Sequence, residues 1–382
     1  MNETALPGPA DEGQPFWGEL GDLNARLLAF YLPQFHPIPE NDAWWGEGFT
    51  EWTNVAKAKP LYPGHQQPRV PGELGYYDLR DPAIRERQAD LARSAGIEGF
   101  CYWHYWFGRG RRLLERPFQD VVESGRPDFP FCLAWANDSW TGVWHGAPGQ
   151  MLMEQTYPGR DDEAAHFETV LPAFRDERHV RVEGRPVFLV YRPAELPDAE
   201  AFTAHWRQLA TSAGLGGLYL IAMSYDMAHP SLRQFDAVTN FGPADYLFSL
   251  RTQPLRRRIA RRLWGALGGP LRFDFHDVVE QAFGTLPREK RFLPGVLTGW
   301  DNTPRAGRRG HVFEGFSPAL LRRYLGKATD LVAAYPPQHR IVFLKAWNEW
   351  AEGNYLEPDA TFGRTLLDAV AAEVAPRRGA GA

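Results

Sequence analysis

From residue 27 onward the chain alternates short apolar runs with segments of helical period, and it does so eight times over. The first run, Leu27-Leu-Ala-Phe-Tyr-Leu32, is stopped by Pro33. Asp81-Pro82 has the form of a helix N-cap followed by a first-turn proline, and it opens a helix that runs to about Ala95, with Gly96 ending it. Strands are expected at 97–106, 131–136, 186–191 and 218–223, separated by helices at 113–123, 161–175 and 198–213. A weak sixth strand (237–241) and a seventh (292–298) flank a basic insertion. A helix from Ser317-Pro318 to about Tyr335 then leads to the eighth strand, Ile341-Val-Phe-Leu344, and a helix at 361–374 closes the pattern. Near-continuous apolar strands belong to parallel sheets covered on both faces. Eight of them alternating with helices imply a parallel sheet, and the count favours a single-domain (β/α)8 TIM barrel over residues 25–376, with long loops at its C-terminal face, above the alternative of an open sheet. Residues 1–24 are expected to be a disordered lead-in and 377–382 a flexible tail.

Composition agrees with a large core, since 44% of 382 residues are hydrophobic, and it adds an unusual aromatic load that includes 14 Trp. A formal net charge of -5 argues against general nucleic-acid binding. Cys101 and Cys132 both sit inside apolar runs and read as buried thiols rather than a disulfide. The first residues lack a basic and then apolar leader, so a cytoplasmic location is expected for the chain as it stands.

The chemistry concentrates where the eighth strand ends, in Lys345-Ala-Trp-Asn-Glu-Trp-Ala-Glu-Gly-Asn-Tyr-Leu-Glu357. Glu349 and Glu352 lie three apart, so in an extended strand they would face opposite ways. They converge only if the chain turns just after Glu349, and Gly353 and Asn354 suit such a turn. Paired carboxylates among indole rings fit glycosidic chemistry. One carboxylic acid protonates the leaving oxygen, one carboxylate serves the reacting carbon, and tryptophan faces stack on sugar rings. The plainer alternative is that both glutamates are surface groups and that Trp347 and Trp350 belong to the core.

The motif Asn348-Glu-Trp-Ala-Glu-Gly353, followed by Leu356-Glu-Pro358, resembles the signature of glycoside hydrolase family 99 and of the WbsX-type proteins of bacterial polysaccharide gene clusters. Ala29-Phe-Tyr-Leu-Pro-Gln-Phe-His36 and Trp44-Trp-Gly-Glu-Gly-Phe-Thr-Glu-Trp-Thr-Asn-Val55 look specifically WbsX-like. Together these motifs bracket roughly residues 27 to 375. The resemblance implies a (β/α)8 barrel acting on glycans. It also implies that Glu349 assists attack by the sugar's own 2-hydroxyl and that Glu352 is the acid/base. The leading expectation is a retaining glycoside hydrolase with a carbohydrate substrate and no cofactor. A WbsX-type glycosyltransferase of O-antigen or capsule assembly is the alternative, although no Asp-x-Asp sugar-nucleotide motif is present. A non-catalytic carbohydrate-binding barrel is the third. The family 99 preference for α-mannosides does not transfer, because the loop from Pro37 to Tyr77 looks different here.

In a barrel, residues that follow strands share the C-terminal mouth. That places Gln34, His36, Trp103, His104, Asn137, Asp138, Trp140, Trp300, Asp301 and Asn302 beside Asn348, Glu349 and Glu352, with Trp347 and Trp350 among them. The long first loop would supply Trp45, Glu47, Glu51 and Trp52 as a wall of the pocket, or would simply be a packed cap. For His104 a hydrogen-bonded core histidine is the competing reading, and for Asp138 and Asp301 a helix cap. His36, His104, His145 and Glu51 lack the compact spacing of a metal site, so no metal is expected. In the basic insertion, Arg256, Arg257, Arg258, Arg261 and Arg262 form an amphipathic segment. It reads as an exposed helix or, more sharply, as a contact for an anionic membrane surface or for the diphosphate of a lipid-linked glycan.

Overall fold

The structure is a computed structural model that describes residues 24–142, 150–224, 226–240, 268–287 and 291–374. The arginines from Arg256 to Arg262, His145, the tail 377–382 and all but the last residue of the lead-in lie outside the described residues.

The parallel strands are β1 (Arg26–Tyr31), β2 (Gly99–His104), β3 (Phe131–Trp135), β4 (Arg185–Val190), β5 (Tyr219–Met223), β6 (Ala237–Thr239), β7 and β8 (Ile341–Lys345). β7 is divided by Pro294 into Phe292–Leu293 and Gly295–Leu297, giving nine strand segments. Each barrel strand pairs with its neighbours in parallel, and β8 lies between β1 and β7. The first half of β7 pairs with β6 (Phe292 opposite Val238) and the second half with β8 (Gly295 opposite Phe343). Proline has no N–H for a ladder, which is why the strand breaks there. Its carbonyl still accepts the Phe343 N–H at 2.9 Å, and Asn240 Oδ1 takes the Gly295 N–H at 2.9 Å. The sheet thus closes across the break into a barrel.

Because helices cover the outside, both faces of the strands are buried, and every residue of β1 is inside. Phe30, Trp103 and Phe343 meet in the barrel interior, with centroids 5.1 and 5.3 Å from Phe30. Burying one such side chain contributes about 1.5–3 kcal/mol.

The helices are α1 (Pro39–Trp45), α2 (Glu51–Lys57), α3 (Pro82–Ser94), α4 (Arg116–Ser124), α5 (Arg160–Arg175), α6 (Ala199–Ser212), α7 (Phe275–Thr285), α8 (Thr303–Ala306), α9 (Pro318–Val332) and α10 (Thr365–Val374). Asp81 caps α3 through the Ala83 N–H, and Ser317 caps α9 through the Leu320 N–H, as their sequences suggest. Several boundaries differ from the sequence expectation, three of them near the mouth or its supporting helices. β2 stops at His104, and Trp106 instead makes an isolated bridge with Arg112. α4 begins at Arg116 with Pro117 in its first turn, and α10 begins at Thr365, after a turn in which Asp359 accepts the Thr361 N–H. The first loop is not structureless: it carries α1 and α2, too short for periodicity to register.

Candidate active site

The site is built on a tight hairpin at the exit of β8. Asn348–Glu349 pairs antiparallel with Asn354–Tyr355, and Trp350–Glu352 forms a 3-10 turn between them. Gly353 ends the turn at φ 63°, and a Cβ on it would stand 2.8 Å from the Asp301 nitrogen. Only glycine satisfies both demands. Gly299 presses from the β7 exit, where a Cβ would come within 2.6 Å of the Gly353 carbonyl. The Asp301 N–H donates to the Glu352 carbonyl at 2.7 Å and locks the two exits together.

This turn brings Glu349 and Glu352 onto one side. Lys345 Nζ donates to Glu349 Oε2 at 2.8 Å and to Glu352 Oε2 at 3.4 Å. Trp103 Nε1 donates to Glu349 Oε1 at 3.0 Å. Arg305 Nη1 donates to Glu352 Oε1 at 2.6 Å. The same guanidinium holds buried Glu51, with Nε donating to Oε1 at 3.0 Å and Nη2 closer still. Tyr105 is buried beside these carboxylates, and burial and Glu349 together push its phenol up.

The two signature glutamates differ in proton affinity. Burial and the charge of Glu349 raise Glu352 to about 7, against the pull of Lys345 and Arg305. Burial works on Glu349 in the same direction but is outweighed by Lys345, the hydrogen bond from Glu352 and Arg305, which hold it at about 2. Like charges at this range cannot both ionise freely. Of the two, Glu352 is therefore the one that holds a proton up to about pH 7, hydrogen-bonded to an ionised Glu349.

Around this pair, Trp300 lies buried with Lys345 Nζ 5.9 Å from its ring centre, and its indole N–H has no hydrogen-bond partner among the described residues. Half-buried Trp140 packs on Tyr105 at 5.2 Å and on Trp44 at 6.0 Å, forming an aromatic wall.

Most other expected members of the mouth have partners within the protein. His104 points to the helix side of β2, where Nε2 meets His166 Nε2 of α5 at 2.8 Å; burial lowers it to about 3. His36 is buried near Asp78 and Arg80, and burial lowers its pKa. Gln34 is half-buried and meets the first loop through its carbonyl, which accepts the Glu51 N–H at 3.0 Å. Asn137 joins the β3 and β4 exits through both backbone groups of Arg192, at 2.7 and 2.9 Å. Asp138 meets Arg192 at 3.3 Å. Asn302 accepts the His311 N–H at 2.7 Å, and Asp301 is saturated by His65, Gln67 and Thr303. Asn348 grips the backbone of Leu32 at 2.7 and 3.1 Å. Trp347 is core against Phe100, and Trp350 stacks on Tyr355 at 3.8 Å. Trp52 is buried, with Nε1 donating to the Tyr77 carbonyl at 2.8 Å. Trp45 packs on Phe49, and Glu47 is exposed.

The hairpin is anchored from behind by Glu357, which accepts from Trp350 Nε1 and Gln88 Nε2 at 2.6 Å each and from the Tyr77 hydroxyl at 2.9 Å. Burial raises it to about 7 despite those donors. Sequence reasoning missed Arg305, Tyr105 and the part played by Lys345. A lysine closing the buried run Ile341-Val-Phe-Leu was a readable sign, since lysine is rarely buried unpaired. Arg305 and Tyr105 carry no pattern that marks them. Among the described residues no cluster of three or more His, Cys, Asp or Glu could hold a metal ion, and no helix is long and apolar enough to cross a membrane.

The family model described as Glycosyltransferase WbsX matches residues 27–370, nearly the whole described chain. The chain belongs to the WbsX family. A curated relative, the uncharacterized protein WxcX of Xanthomonas campestris pv. campestris strain B100, is 41% identical over 349 residues, which cover 91% of this chain and 49% of that protein. The chain thus spans about half the length of the curated relatives it matches. Among solved structures, a glycoside hydrolase-like protein aligns over 97% of both chains with a TM-score of 0.59 at 16% identity. A glycoside hydrolase family 99 endo-α-mannosidase from Bacteroides thetaiotaomicron aligns over 91% of this chain and 96% of its own, with a TM-score of 0.54 at 15% identity. This WbsX chain therefore has the (β/α)8 fold of those hydrolases.

Proposed function

We propose that the chain is a retaining glycoside hydrolase acting on a bacterial or related polysaccharide or oligosaccharide, with Glu352 as acid/base and Glu349 as the carboxylate that serves the anomeric carbon. The observation that carries this reading is the carboxylate pair on one hairpin with its proton affinities pushed apart. Two titratable groups so divided are the form that acid and base assignments take. Glu352, protonated at rest, gives its proton to the leaving oxygen. Glu349, kept ionised by Lys345, either bonds to the anomeric carbon or takes the proton of the sugar's 2-hydroxyl as that oxygen closes on the carbon; both routes retain configuration. The half-buried Trp44 and Trp140 wall offers faces for sugar stacking.

The test is product stereochemistry. Proton NMR of the reducing sugar at early times shows the substrate's own anomer first if the reaction retains, and the opposite anomer contradicts the assignment. With Glu352 as acid and Glu349 ionised down to about 2, kcat/KM should fall as pH rises through about 7 and stay level below it.

A second reading, glycosyl transfer in polysaccharide assembly, is favoured by the description of the family itself. It uses the same two glutamates but requires an activated sugar donor, so dependence of turnover on a sugar nucleotide or lipid-linked donor separates the two.

A further inference from the structure

An acid and a carboxylate account for Glu352 and Glu349, but not for the pair packed against them. Arg305 stands on α8, in the loop after β7, and spends its whole guanidinium on carboxylates: Nη1 on Glu352, Nε and Nη2 on Glu51. Glu51 opens α2 in the loop after β1, is 1% exposed, and has Arg305 as its one ion-pair partner among the described residues. Three loops are therefore joined by one planar cation. A structural staple would need nothing more than Arg305 and Glu51; the third arm, laid at 2.6 Å on the oxygen of the acid itself, is what a staple does not require.

We propose that Arg305 is a positioning residue that sets the proton affinity of Glu352, and that Glu51 tempers the charge Arg305 offers. The proposal rests on Glu352 being the acid/base. A guanidinium facing Glu352 alone would favour its anion, which cannot protonate a leaving group. A second carboxylate on the same guanidinium draws that charge away and leaves Glu352 able to hold its proton near neutral pH. Arg305 Nη1 occupies Oε1, while the contact of Lys345 with Oε2 is longer, at 3.4 Å. The proton is thus directed to Oε2. The groups facing Glu352 are Glu349 and Lys345 from the β8 exit, Arg305 from α8, Glu51 of α2 behind it, and the Tyr105 phenol after β2.

The two partners should act in opposite senses. Arg305→Met removes a cation and a donor from Glu352, so its titration moves up by about one pH unit or more. Glu51→Gln removes an anion and frees Arg305 for Glu352, so the titration moves down. The measurement is the carboxyl 13C NMR titration of Glu352 in full-length protein labelled at glutamate, with the signal assigned by its loss in Glu352→Gln. It needs no substrate, so absence of turnover on any glycan would count against the hydrolase reading while leaving this test readable. Where turnover is found, the high-pH limb of kcat/KM should move the same way in each variant. Shifts in the same direction, or none, overturn the proposal. If either single variant fails to fold, Glu51→Gln/Arg305→Met replaces the ion pair with two neutral side chains. The titration should then lie above wild type, because the directly bound cation is gone, and a titration at or below wild type overturns the proposal.

Discussion

At the scale of single residues, the site is decided by which buried charges have partners. Lys345 and Glu349 are each about 5% exposed in their side chains and lie 2.8 Å apart. Removing one member of such a pair leaves the other charged and dry, at a cost of about 3–5 kcal/mol. Lys345→Met should therefore lower stability by about that amount in chemical denaturation. Lys345→Met/Glu349→Gln, which removes both charges, should cost markedly less. Equal losses in the single and double variants would mean that the pair is not coupled. Glu349 and Glu352 were marked in the sequence by their setting, two glutamates amid tryptophans where a strand ends, and by the resemblance of that motif to a family signature. Neither sign marked Arg305, whose neighbours Thr303-Pro-Arg-Ala306 look like any helix start.

At the scale of elements, the strand pattern was legible and the direction of side chains at strand ends was not. Parallel strands buried on both faces are apolar throughout, so the sequence of β2 does not say which of Trp103 and His104 faces the barrel axis. The structure turns Trp103 to Glu349 and His104 to His166. Asn137, Asn302 and Asn348 illustrate a second limit: an amide at a strand exit can bind a ligand or satisfy loop backbone, and here all three satisfy backbone. The turn after Glu349 was readable, because Gly353 and Asn354 announce it. Gly353→Ala should cost roughly 2–4 kcal/mol and most of the activity, through a positive φ and the approach to Asp301. Thermal melts near wild type would show that the hairpin tolerates the displacement.

The His104–His166 contact joins β2 to α5 and makes a prediction about pH. Both pKa values are lowered by burial, so the folded state binds fewer protons than the unfolded one, and the stability they contribute is lost as pH falls below the ordinary value of 6.5. Glu352 and Glu357 act with the opposite sign: their raised pKa values favour the folded state below the ordinary 4.5, a contribution lost as pH rises toward about 7. Comparison with a variant isolates the histidines. His104→Leu/His166→Phe should flatten the fall in Tm between pH 6.5 and 4 relative to wild type, and parallel curves would assign that fall to other groups.

At the scale of the whole molecule, the barrel closes at its most irregular point, where Pro294 divides β7, and the loops after β1, β2, β7 and β8 together complete the carboxylate cluster. That convergence is the general property of the fold, which gathers side chains from distant parts of the chain onto one face. The sequence made the eight strands and the location of the mouth readable. It could not show that Glu51, far from the signature motif, reaches the cation bound to Glu352, because that contact depends on how α2 folds back over the barrel.

The central claim is that Glu352 is the acid of a donor-independent glycan cleavage. Its most direct test is turnover of wild type and Glu352→Gln on a panel of oligosaccharides and aryl glycosides, with and without sugar-nucleotide donors. The account predicts release of free sugar without a donor, reduced in Glu352→Gln by about 10²–10⁴-fold while glycan binding persists. Equal turnover by the two proteins, or product formed only when a donor is present, would contradict it.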